Sequence, residues 1–166
     1  MMEPGGGSRG FSKLELLVVV TVIGILALTA LARLLEVEEA AEKTVVDSTL
    51  RNIGSGLRQA MAGDIIHAQE GRIALLIGAN PVRYLAQPPA GYLGAYPDGP
   101  ERVPAGAWYF DGSRRELCYR PKLGWHLAIA GGASLLCWRI EPVGGRLAGG
   151  GVGSVRLVAT RPYRWF

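Results

Sequence analysis

Seventeen consecutive residues, Leu16 to Ala32, carry no charge and are mostly Leu, Val, Ile and Ala. As an α-helix they rise about 26 Å, at the short end of what crosses a hydrocarbon core. Glu15 stands directly in front of the run, between Leu14 and Leu16. A carboxylate near the bilayer centre costs roughly 2.5 kcal/mol or more. A chain that keeps one there either supplies a cationic partner or leaves the acid at the headgroups. The expected membrane span covers about residues 14–34.

The helix is not expected to stop at the membrane. No proline occurs between Phe11 and Gly78, and apolar residues continue at Leu34, Val37, Ala41, Val45 or Val46, Leu50, Ile53, Leu57 and Ala60. Steps of three or four residues define one helical face. Glu39–Lys43 and Asp47–Arg51 are i,i+4 pairs in the favourable order. Gly54 and Gly56 weaken the helix by about 1 kcal/mol each, so packing must hold its last turns. The sequence predicts one helix over residues 11–63, its first half in lipid or a filament core. Its second half lies on a sheet.

Residues 64–106 connect helix to sheet. The part from Asp64 to Ala79 is partly helical in pattern. The part from Asn80 to Gly106 holds six of the ten prolines and reads as a long loop. Tyr84, Leu85, Tyr92, Leu93 and Tyr96 are its expected anchors. Residues 107–166 then read as an antiparallel, mostly meandering sheet of about four strands. Asp111-Gly112 between two aromatic runs marks a hairpin. Strand patterns recur near Leu135–Ile140 and Ser154–Ala159, and the C-terminal aromatics close a sheet edge or meet another subunit. The class is α+β, with the stalk half of the helix covering the apolar face of the sheet.

The stretch Gly10-Phe11-Ser12-Lys13-Leu14-Glu15-Leu16-Leu17-Val18-Val19-Val20 resembles the class III signal of type IV pilins and type II secretion pseudopilins. In that family a prepilin peptidase removes a short leader ending in Gly, and the new terminal amine, usually of Phe, is methylated. A Glu stands at the fifth mature position. The resemblance implies a leader at residues 1–10, cleavage between Gly10 and Phe11, N-methylation of Phe11 and an assembly role for Glu15. It implies a pilin-like fold, a cytoplasmic N-terminus, and a head exported across the inner membrane. The implied partners are the peptidase, an inner-membrane assembly platform and other pilin or pseudopilin subunits. Two positions depart from the family. Lys13 replaces the usual aliphatic residue, and Ala32 stands where many major pilins carry a kinking Pro, which predicts a straighter helix.

In a filament, Glu15 of one subunit would meet the amine of a neighbour in a low-dielectric core. Pairing recovers much of the cost of burying either charge and enforces axial register. The other reading places Glu15 at the headgroups, as a marker of the membrane edge.

Charge divides along the chain. Phe11 to Glu70 has five basic and eight acidic residues, a net of −3, whereas Gly71 to Phe166 has twelve and five, a net of +7. An acidic stalk and basic head suit mutual attraction of subunits, with Glu36, Glu38, Glu39 and Glu42 as the acidic face. A membrane-anchored protein whose basic head binds nucleic acid or another polyanion is the rival reading. The two cysteines, Cys118 and Cys137, are either disulfide-bonded, which an exported head permits, or free thiols on adjacent strands. His67 and His126 are the only histidines, and His67 has no Cys or second His at metal-ligand spacing. No Gly-x-Ser-x-Gly elbow surrounds Ser134, and the sequence holds no phosphate-binding loop. It therefore predicts no catalytic residues, no metal and no cofactor.

Overall fold

The computed structural model describes residues 12–67, 69–95, 102–144 and 152–166. Helix α1 spans Lys13–Ile66. The chain divides into two units, one ending at Glu38 and one from Glu39 to Phe166.

In the first unit α1 is long and apolar enough to cross a membrane. Its large side chains, among them Leu17, Ile23, Leu26 and Leu28, are exposed. Thr21 and Thr29 return their hydroxyls to the carbonyls of Leu17 and Leu26, so neither presents an unpaired hydroxyl to an apolar surrounding.

The second unit is α+β. The C-terminal half of α1 packs on a mostly antiparallel sheet, consistent with a pilin-like fold. The strands are β1 (Tyr92–Ala95), β2 (Trp108–Asp111), β3 (Glu116–Tyr119), β4 (Leu127–Ile129), β5 (Leu136–Pro142), β6 (Val155–Ala159) and β7 (Tyr163–Trp165). Five of them form one sheet in the order β1-β2-β3-β5-β6, and β4 pairs with β7 separately. Two 3₁₀ turns, Glu70–Leu76 and Pro81–Tyr84, lead from α1 to β1.

The sequence predicts about four antiparallel strands; among the described residues the structure adds three. Strand β1 lies in the proline-rich region and runs parallel to β2, through Tyr92↔Trp108. Proline on either side hides it, yet an edge strand tolerates such flanks. Strands β4 and β7 have three residues each, too short for a periodic pattern. The Asp111-Gly112 hairpin forms, but through a longer turn than Asp-Gly alone suggests. Asp111 pairs with Glu116. Its Oδ1 accepts the Ser113 amide, the Ser113 hydroxyl and the Arg114 amide. That local closure is what an aspartate at the head of a turn supplies.

Strand alternation divides the sheet residues between two cores. Facing α1, Trp108, Leu117, Tyr119, Leu136, Trp138 and Ile140 pack with Val46, Ile53, Leu57 and Met61. On the other face Tyr109, Cys118, Leu135 and Cys137 gather under Val103 and Ala107. The helix glycines are explained in part. A Cβ on Gly56 would stand 1.9 Å from the Tyr84 carbonyl oxygen, so Gly56 admits the second 3₁₀ turn against the helix. Gly54 has no such neighbour.

The expected buried stripe needs a correction. Between residues 37 and 46 the inward face of α1 carries Glu39, Glu42 and Val46, while Val37, Ala41 and Val45 are exposed. Polarity misleads here because the inward acids have partners in the head. For the same reason Glu39 does not pair with Lys43; Lys43 Nζ donates to Asp47 at 2.6 Å.

Candidate functional site

Two carboxylates three residues apart lie on one face of a helix, and here that face is turned into the head. Glu39 is fully buried. Its Oε1 accepts the His126 amide at 2.9 Å and the Trp165 indole N–H at 3.1 Å, and its Oε2 lies 2.9 Å from His126 Nδ1. An ionised carboxylate can only accept, so the His126 ring carries its proton at Nδ1. Burial works to raise the Glu39 pKa. The His126 amide, the His126 ring and the Trp165 indole outweigh it and hold the carboxyl below the usual carboxylate range.

Glu42 repeats the arrangement one turn on. Its Oε1 accepts the Tyr119 hydroxyl at 2.6 Å and the Lys122 amide at 2.7 Å, and its Oε2 accepts the Leu123 amide at 3.1 Å. Burial, then the hydrogen bond and the charge of Glu42, push the Tyr119 phenol well above its usual range. Together the two acids satisfy three backbone amides of the β3–β4 connection and hold the C-terminal strand through Trp165. Phe166 stacks on the His126 ring, with centroids 4.7 Å apart. Of the four acids read as a subunit-facing surface, Glu39 is therefore buried and Glu42 is engaged within the head. Glu36 pairs with Arg33 at 2.9 Å, and Glu38 is exposed.

The residues singled out from sequence fall in separate places. Gly10 and Phe11 lie outside the described residues. Glu15 is exposed in the first turn of α1, where the helix dipole favours a negative charge. Cys118 and Cys137 are direct partners across β3 and β5, and their sulfurs are bonded to each other. Their Cα atoms are 4.1 Å apart, the close spacing of a non-hydrogen-bonded pair. Glu116 lies beside them, but two bonded sulfurs do not act as thiolate ligands. His67 follows the end of α1 and is exposed.

Sequence reasoning missed the Glu39–His126–Trp165 group. One signal was available: acids at Glu39 and Glu42 break the apolar stripe at i,i+3, on a helix destined to lie on a sheet. Comparison with family profiles, with curated proteins and with solved structures finds no match for this chain.

Proposed function

We propose that this chain is a structural, non-catalytic subunit of a filament: a pilin, minor pilin or pseudopilin of a type IV pilus or type II secretion system. A prepilin peptidase cleaves it after Gly10 and methylates the Phe11 amine. The inner membrane holds the product by α1, with the N-terminus cytoplasmic and the head periplasmic. The assembly platform then moves it into a filament with other subunits.

One combination carries this reading. A Gly-Phe pair stands just before an uninterrupted 54-residue helix that carries Glu15 in its first turn, with an exposed apolar first half and a second half built into an α+β head. A membrane anchor alone needs only about 20 residues. The remaining turns of the same helix pack within the head, as a filament subunit's stalk requires. A bonded cysteine pair suits an exported head.

The test is Glu15→Ala in cells that assemble the filament. Processing is expected to continue while incorporation into sheared filaments falls. Normal incorporation would refute the pairing of Glu15 with a neighbour's amine.

A further inference from the structure

We infer that the free edge of β6, with the groove between it and α1, is a docking site for an extended acidic segment of a partner protein, which adds as a strand to the sheet.

The edge is open by construction. Strand β6 ends the five-stranded sheet. The C-terminal strand, which follows it, pairs with β4 instead. In the β5–β6 ladder, Thr160 N donates to Cys137 O and Val143 N to Ser154 O. Antiparallel alternation then turns the backbone groups of Val155, Leu157 and Ala159 away from β5. Val155 N meets Met61 Sδ at 3.3 Å. Among the described residues, the Leu157 and Ala159 amides have no partner. No proline or bulge blunts β6, the usual protection of an exposed edge.

Beside this edge runs a groove of about 710 Å³. Its floor is apolar, with Leu50, Leu57, Trp138 and Leu157 among its walls. Its helix rim carries Arg51 and Arg58, both exposed and, among the described residues, in no ion pair. Arg58 Nη2 donates to Ser55 Oγ at 3.4 Å. Seven residues separate these arginines, about 10.5 Å along the helix. Side chains on one face of a strand repeat about every 7 Å, so carboxylates two or four residues apart reach both guanidinium groups. Main-chain bonds to Leu157 and Ala159 would supply register, and the arginines would select for acid.

Charge also argues against the simplest other occupant. Pairing β6 with β6 of a second copy would set Arg51, Arg58 and Arg156 against a like-charged edge. This inference does not depend on the filament reading.

The probe is a blocked, fluorescently labelled seven-residue peptide alternating threonine with glutamate, titrated by anisotropy against the full chain in detergent micelles. Saturable binding is expected, and replacing glutamate by lysine should abolish it. Arg51→Glu with Arg58→Glu should weaken binding on the order of tenfold or more. Ala159→Pro removes an outward N–H that β5 does not use, and should weaken binding by a similar factor while the double arginine variant still reports if this one misfolds. Equal binding of the lysine peptide, or no saturable binding, overturns the proposal. So does binding of the glutamate peptide that neither set of substitutions changes, or a β6-dependent dimer in light scattering that excludes the peptide.

Discussion

Replacing Glu39 by alanine is expected to unfold the junction between α1, the β3–β4 connection and the C-terminal strand. The substitution removes the acceptor for the His126 amide, the His126 ring and the Trp165 indole. Hydrogen bonds to a charged group contribute about 1.5–3 kcal/mol each. The His126 ring, with a side chain 45% exposed, can turn to water, but Trp165 is only 4% exposed and its N–H is stranded. With the cavity left by the side chain, the cost comes to about 3–5 kcal/mol. For a head of this size that lowers Tm by roughly 10–20 °C. Glu39→Gln keeps one oxygen to accept from the His126 amide and the Trp165 indole, and its NH2 faces His126 Nδ1, which accepts once the ring proton moves to Nε2, so about 1–2 kcal/mol is expected for the lost charge. The assay is thermal and urea unfolding of the full chain in detergent micelles, followed by near-UV circular dichroism. An alanine variant within about 1 kcal/mol of the parent would refute the reasoning, because the buried acid would then not organise the junction.

Three further outcomes follow from the same structure. The Glu39 carboxyl titrates below its usual range when folded, so its stabilisation is complete above the unfolded pKa of about 4.3 and is lost as pH falls through the folded value. The stability gap between parent and Glu39→Gln should therefore narrow in acid, and a gap independent of pH from 7 to 3 would contradict the assignment. Gly56→Ala should destabilise the head by about 1–3 kcal/mol or more despite its better helix propensity, because the Tyr84 carbonyl occupies the space of the new methyl; Gly54→Ala, where a Cβ meets only Arg58 Nη1 at 3.6 Å, should be neutral or gain up to about 1 kcal/mol. Equal effects in urea unfolding would count against that packing. Replacing both Cys118 and Cys137 by serine should cost roughly 3 kcal/mol by freeing a loop of 19-residue separation in the unfolded chain, and an unchanged urea midpoint would argue against the crosslink.

The sequence made the long helix plain, because an unbroken apolar run and the absence of proline each point the same way. Its inward face was plain from Val46 onward and misread before it. Periodicity counts apolar residues, and Glu39 and Glu42 face inward only because distant amides and an indole come to meet them. The Asp111 hairpin and the strands after it were legible from turn chemistry and alternation. Strand β1 was hidden by neighbouring prolines, and the β4–β7 pair by its length. An exported head permitted a bond between the cysteines without excluding two free thiols, and only the register Cys118↔Cys137 puts their side chains together. The open edge of β6 was not legible, since it depends on where the C-terminal strand goes.

The central proposal concerns the terminus from which α1 grows. The direct measurement is the intact mass and N-terminal sequence of the chain recovered from membranes of cells with a working prepilin peptidase. A chain that begins at Phe11 with a methylated amine is the predicted result. A chain that retains its first ten residues contradicts the account.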